Sequence, residues 1–297
     1  MSLEEVCAVC IDTRDVNLAI IAIERMRTAG FTDILFFTNH DGICYVDHNK
    51  EHVKTIIIPQ LRSIEDYSKF VITRLPEYLQ VKYFIIFQWD GFCLDPTLWW
   101  NGFLEYDYIG APWLEPHRYG AGSVGNGGFS LRSKKLADAL IKTRENEINL
   151  PEDAYIASQA DILNRDHGLK IAPLEIAKHF SVEHQTYSSD SAYAQDIPKT
   201  GTFGFHGWFN FHLCFSDDEL TSYIHNIMTP AQRRRILGSW ENTALLANLS
   251  GSGRDDALSE VAQATQLALG TNLDVSAPYF IQNLIATIND KKFSTDG

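Results

Sequence analysis

Short apolar runs alternate with helically periodic stretches from Val6 to Gln88. Val6–Ile11 (VCAVCI) is continuously apolar, the pattern of a strand buried on both faces, and Asp12, Thr13 and Arg14 follow at its end. Val16–Thr28 carries apolar residues at helical spacing, and Gly30 stands where a helix-ending glycine belongs. Ile34–Phe37 and Thr55–Ile58 read as further strands and Glu65–Leu79 as a helix. Tyr83–Gln88 (YFIIFQ), rich in β-branched and aromatic residues, reads as a central strand. This alternation predicts an α/β fold, a mostly parallel Rossmann-type sheet with helices on both faces. Ligands of such sheets bind beyond the carboxyl ends of the strands. That rule selects two places, Asp12-Thr13-Arg14 after the first strand and Trp89-Asp90-Gly91 after the fourth.

The middle of the chain is less regular. Tyr106–Ala111 reads as a strand, and the stretch VGNGGFSLRS (124–133) follows it. Glycine inside an element costs stability, so Gly125, Gly127 and Gly128 mark either a turn or a close approach of backbone to something else. Phe129-Ser130-Leu131 is expected to re-enter the sheet and Arg132-Ser133 to start the next helix, which runs from about Lys134 to Thr143. Pro151-Glu152-Asp153 opens another helix reaching about Arg165, with proline and acids where a helix N-terminus favours them. From Ser216 the pattern turns helical throughout. Ser216 precedes three acids, Thr229-Pro230-Ala231-Gln232 fits a capping box, and Asp255–Leu269 and Pro278–Ile288 are amphipathic. The expected organisation is an α/β domain over 1–215 and a helical C-terminal region over 216–297.

Charge narrows the function classes. With 25 basic against 38 acidic residues the net charge is −13, which disfavours nucleic acid and anionic lipid surfaces as partners. The run Arg233-Arg234-Arg235 reads as a solvated helix turn. No stretch is apolar for long enough to predict a membrane span, and MSLEEVCAVC lacks the basic lead of a signal peptide. Five scattered cysteines fit reduced thiols and a cytoplasmic location. Cys7 and Cys10 form a C-x-x-C inside the apolar first strand, without a second pair at zinc spacing.

Three positions stand out chemically. Asp90 ends a hydrophobic strand, where a carboxylate exposed at the sheet edge could hold a divalent cation; a turn-capping role is the plainer alternative. Glu152-Asp153 begins a helix, whose dipole favours an ionised carboxylate that could act as a general base; simple capping explains it equally. His206, in FGFHGW, could ligate a metal beside Asp90, or could bond to backbone as a partly buried histidine. Phosphate-loop, nucleophile-elbow and H-E-x-x-H motifs are all missing from the sequence.

Taken together, QWDG (88–91), DYIGAPW (107–113), VGNGGFSLRS (124–133), PED (151–153) and FGFHG (203–207) resemble a bacterial family of uncharacterised members. That family is itself similar to the GT-A class of nucleotide-sugar glycosyltransferases. The resemblance covers roughly residues 5–215. It implies a GT-A-like sheet and transfer of a sugar from a nucleotide-sugar donor, UDP-linked donors among the candidates, to a saccharide or glycan hydroxyl. Asp12, Thr13, Arg14, Gln88, Trp89 and Asp90 would bind the donor. Asn126, Gly127 and Gly128 would lie between donor and acceptor, the glycines letting backbone N–H groups and the Asn126 amide reach sugar hydroxyls. Asp90 matches the last position of an Asp-x-Asp motif, and His206 resembles the late histidine that completes coordination of Mn or Mg in some members. Gln88 replaces the first Asp of that motif, so the resemblance leaves metal dependence open. Asp153 matches the catalytic base of inverting enzymes, with Glu152 beside it. Two other readings stay open, an inactive sugar- or nucleotide-binding module and a sugar-phosphate nucleotidyltransferase. The segment 12–29 lacks the basic, glycine-rich loop that the latter would need. A homo-oligomer formed through the helical tail is a further option.

Overall fold

Four apolar strands build the centre of the protein in a computed structural model that describes residues 3–46, 52–113, 124–143, 148–183, 198, 200–271 and 280–293. β1 (Cys7–Ile11), β2 (Ile34–Thr38) and β4 (Tyr83–Phe87) are buried at every position, while β3 (Val53–Ile57), on the sheet edge, is half-exposed. With β5 (Tyr108–Pro112) and β6 (Val124–Ser133) they form one six-stranded sheet in the order β3-β2-β1-β4-β6-β5. β1 to β4 pair in parallel, and β6 runs antiparallel to both β4 and β5. The architecture is the expected α/β one, a mostly parallel sheet flanked by helices. Helix α1 (Val16–Thr28) matches its sequence pattern residue for residue, and Gly30 takes a positive φ of 102° just beyond it.

Some elements differ from the sequence expectation. The glycine stretch is not a turn. All ten residues of β6 lie in the sheet, including Arg132 and Ser133, and helix α3 (Lys134–Leu140) starts at Lys134 as its pattern predicts but ends before Thr143, with the Ser133 hydroxyl accepting the Leu136 N–H at 3.0 Å. The helix expected over Glu65–Leu79 is α2 (Ile64–Lys69) followed by a widened π turn at Phe70–Arg74 and a 3-10 turn at Leu75–Tyr78. Pro76 explains the change, because it lacks the N–H that would continue the helix and its ring crowds the preceding turn. The helix opened by Pro151 divides at Gln159 into α4 (Glu152–Ser158) and α5 (Ala160–His167). Helix α6 (Leu174–Phe180) leads into β7 (Ser181–Val182), which pairs in parallel with β8 (Gly204–Phe205).

The chain divides into two compact units, Met1–His206 and Gly207–Gly297. The second begins before Ser216 because the 3-10 turn Trp208–Leu213 is aromatic and packs into it. Trp208 is fully buried and donates its indole N–H to Asn242, while Asn248 donates to the Phe209 carbonyl at 2.9 Å. Its helices are α7 (Asp217–Ser222), α8 (Pro230–Leu237), α9 (Trp240–Gly251), α10 (Asp255–Leu269) and α11 (Phe280–Phe293). The expected capping boxes are present at Ser216/Glu219 and Thr229/Gln232. Pro278, read as the start of α11, lies outside the described residues. Among the described residues no helix is long and apolar enough to cross a membrane. All five cysteines are free.

Candidate functional site

A cleft of about 330 Å³ opens at the carboxyl ends of β1 and β4. Every site residue singled out in the sequence lines it except Asp90, which lies next to the lining residue His206. Each wall has a local cause. Beyond β1 the Asp12 carboxylate accepts the N–H groups of Arg14 at 2.8 Å and Asp15 at 2.6 Å, a turn that hands the chain to α1. Burial pushes the Asp12 carboxyl up to about 6, with the Asp15 charge adding to it. Thr13 is buried and bonds the Leu61 backbone both ways, and Asn39 and Gln60 donate to its carbonyl. These bonds hold the segment after β3 against the segment after β1. They therefore bring Arg62, Ser63, Ile64 and Tyr67 into the cleft wall. The sequence reading missed this group, although it too follows the carboxyl end of a strand, where the same rule would have found it.

Beyond β4, Gln88 and Gly91 exchange backbone hydrogen bonds at 3.1 Å, with Trp89 and Asp90 between them. Asp90 was expected to be exposed at the sheet edge. Instead it is only 7% exposed, and its Oδ1 has no hydrogen-bond partner. Burial raises its pKa above the usual carboxylate range, partly opposed by His206. The imidazole of His206 stands next to it, with Nε2 3.6 Å from Asp90 Oδ1 and 3.3 Å from Gln88 Oε1. Its Nδ1 lies 3.0 Å from Glu183 Oε1. Among the described residues no three or more His, Cys, Asp or Glu side chains form a metal-holding group.

Strand β6 explains its glycines here. Phe129 pairs with Phe87, the last residue of β4, so Gly128, Gly127 and Asn126 run past the end of that strand into the cleft. A Cβ on Gly128 would come within 2.1 Å of His206 Nε2, and one on Gly127 within 2.3 Å of Glu152 Oε1. The glycines make room for the protein's own imidazole and carboxylate. Their N–H groups, expected to serve sugar hydroxyls, already donate within the protein, from Gly127 to Asp153 Oδ2 at 2.9 Å and from Gly128 to Asn126 Oδ1 at 2.9 Å.

The two carboxylates that open α4 sit in different environments. Glu152 is buried and bonded to Arg132 at 2.7 Å, and Arg132 also donates to Ser130 and lies over the Tyr108 ring. Among the described residues no cation is bonded to Asp153. Its carboxyl is pushed up to about 7, first by burial and then by the Glu152 charge, against the N–H groups of Ala154 and Gly127 and the more distant Arg132. The helix N-terminus was expected to keep Asp153 ionised, but burial and the adjacent like charge outweigh it. Of two neighbouring acids, one is thus paired with a buried guanidinium and the other, without such a partner, is pushed up to about 7.

The fold and site define an α/β chain with a carboxylate-lined cleft at a strand-end switch point of its sheet. The chain belongs to the family described as "Protein of unknown function (DUF5672)", whose family model matches residues 51–206, from the start of β3 to His206. No curated protein matches the sequence. Solved structures show similarity over part of the chain. HddC from Yersinia pseudotuberculosis is similar at 15% identity and a TM-score of 0.32, over 52% of this chain and 99% of its own. The 4-diphosphocytidyl-2C-methyl-D-erythritol synthase of Anaerococcus prevotii follows at 10% identity and 0.35, over 58% and 87%. The bifunctional IspDF of Campylobacter jejuni stands at 13% and 0.37, over 57% and 48%.

Proposed function

We propose that the chain is a nucleotide-sugar-dependent glycosyltransferase that inverts configuration at the transferred sugar and is assisted by a divalent cation. The observation that carries this reading is the pair of neighbouring glycines in β6. One abuts the acids Glu152 and Asp153, the other abuts His206, and all of them line one cleft with Gln88. A group that titrates near 7 and a cation-seeking set are thereby held within a few residues of one another.

The orphaned, buried Asp90 oxygen, the Gln88 carbonyl and the imidazole of His206 suit a hard divalent ion such as Mn or Mg. Such an ion, when bound, supplies Lewis acidity that offsets charge on a departing diphosphate. The residues of the chain do the rest. Asp12, Thr13 and Arg14 border the nucleotide. Asp153 takes the proton of the acceptor hydroxyl as that oxygen bonds to the anomeric carbon and the bond from that carbon to the diphosphate oxygen breaks. The Gly127 N–H aims the carboxylate, and Arg132 holds Glu152 in an ion pair away from the proton transfer. A base with a pKa near the working pH is suited to this step, and it favours an enzyme over an inactive binding module. The four-residue link Asp12–Asp15 between β1 and α1 contains no glycine and one cation, which disfavours a triphosphate-gripping nucleotidyltransferase.

Thermal-shift titration with UDP, GDP, CMP and dTDP, each with and without manganese, tests the reading, because a ligand of the native state raises Tm by mass action. One nucleotide is expected to raise Tm only with manganese, and Asp90→Ala is expected to abolish the rise. Wild-type protein that responds to none of the four would overturn it.

A further inference from the structure

The second short sheet of the first unit serves the site. Ser181 and Val182 of β7 pair with Gly204 and Phe205 of β8, so the next residues in register are Glu183 and His206. The His206 N–H donates to the Val182 carbonyl at 2.9 Å, which continues the pairing into the site. Neighbours in register project to the same face of a sheet. The imidazole Nδ1 accordingly lies 3.0 Å from Glu183 Oε1, and both side chains are largely buried.

The same carboxylate oxygen accepts the Asn126 amide at 2.8 Å. The orientation of that amide is determined, because its oxygen receives the Gly128 N–H. An ionised carboxylate only accepts hydrogen bonds, so Nδ1 must carry the proton that it shares with Glu183. In a neutral ring this leaves the lone pair on Nε2. The Gln88 amide nitrogen is directed at the Tyr67 hydroxyl at 3.3 Å, which turns the Gln88 oxygen toward His206. The neutral ring thus makes the shorter bond, Nδ1–H to Glu183 at 3.0 Å, in place of an Nε2–H bond to Gln88 Oε1 at 3.3 Å, and three acceptor atoms, His206 Nε2, Gln88 Oε1 and Asp90 Oδ1, face one another.

We propose that Glu183 is a positioning residue that fixes His206 in the Nδ1–H form, with the Nε2 lone pair turned toward Asp90 and Gln88, and locks Asn126 of β6 to the same ring. Carboxylates behind ligating histidines orient them in this way, and losing one costs 10–100-fold in metal affinity. The purpose assigned to the lone pair rests on the cation-assisted reading above; the tautomer itself does not.

The experiment uses the full chain labelled with 15N-histidine, free of metal, at pH 8. Long-range 1H–15N spectra report which ring nitrogen is protonated, and the His206 signals are identified by their loss in His206→Gln. Wild type is expected to show Nδ1–H with a bare Nε2. Glu183→Leu is expected to revert to Nε2–H and to bind Mn2+ about 10–100-fold more weakly by EPR titration in the presence of nucleotide. Glu183→Gln, whose oxygen still accepts from Nδ1, should keep the tautomer and rescue most of the affinity; Glu183→Met, of similar length but without that acceptor, carries the test if Glu183→Leu fails to fold. A wild-type ring protonated on Nε2, or a tautomer and Mn2+ affinity that neither apolar variant moves, would overturn the proposal. A Glu183-dependent tautomer in a wild type that binds no Mn2+ with any nucleotide would uphold the positioning role and overturn the cation-assisted reading.

Discussion

Replacing Asp153 by Asn should inactivate the protein and stabilise it at the same time. Holding a carboxyl at about 7 when its ordinary value is 3.8 destabilises the ionised native state by about 4 kcal/mol, at 1.36 kcal/mol per tenfold. The amide removes this charge from beside Glu152. It also loses one of two acceptors, since Asp153 receives N–H groups from both Gly127 and Ala154, which returns about 1–2 kcal/mol. The net expectation above pH 7 is a gain of roughly 2 kcal/mol, or about 4–8 °C in Tm for a unit of this size. The pH dependence carries the sign. Between about pH 4 and pH 7 the native carboxyl holds a proton that the unfolded chain has released, so this group makes the wild type more stable as pH falls through that window. The advantage of Asp153→Asn is therefore largest at pH 8 and shrinks toward pH 5. Differential scanning calorimetry of both proteins from pH 5 to 8 measures it. A variant less stable than wild type at pH 8, or a difference that does not change with pH, would refute the environment assigned to Asp153. In transfer assays the same variant should lose about 10²–10⁴-fold in kcat. The wild-type rate should rise with pH through about 7 and level off above it, as for a base that works deprotonated.

Other substitutions probe the same neighbourhood. Gly128→Ala places a methyl 2.1 Å from His206 Nε2, so it should destabilise by about 1–3 kcal/mol and abolish any manganese-dependent thermal shift. Gly251→Ala, whose Cβ meets nothing within 4 Å, is the control and should leave Tm unchanged or slightly raised. Arg132→Met leaves Glu152 buried without its partner and should cost about 3–5 kcal/mol in chemical denaturation; adding Glu152→Gln should recover most of that loss.

The sheet was legible because its strands are apolar on both faces and its helices are not. CAVCI, ILFFT and YFIIF announce a buried parallel sheet, and α1 is bounded by signals that need no tertiary context. The pattern misled where tertiary contacts decide. Pro76 interrupts an otherwise periodic helix. Trp208 and Phe209 look like the tail of the first unit, yet they are core residues of the second, because Asn242 and Asn248 reach them from helices far along the chain. Glu183 carries no signal at all. It matters through its register with His206, and two residues of strand are too short a pattern to detect.

The glycine stretch shows how the candidate site could be found and misread at once. Glycines do mark close approach, but what approaches is the protein itself. Adjacent residues of a strand face opposite ways, so Gly127 and Gly128 let carboxylates pack on one side of β6 and an imidazole on the other. Any Cβ there would push one of them away. The N–H groups freed from side-chain crowding then hold Asp153 and Asn126, and Asn126 in turn meets Glu183 behind His206. A single strand end thus fixes the acid that titrates near 7 and the ring that faces Asp90. This explains why Gly127 and Gly128 follow Asn126, and on the proposed function it would tie acid–base chemistry and cation binding to the same three residues. Moving either partner should disturb both, so Gly127→Ala is expected to shift the pH profile and Gly128→Ala the manganese dependence, each with a smaller effect on the other.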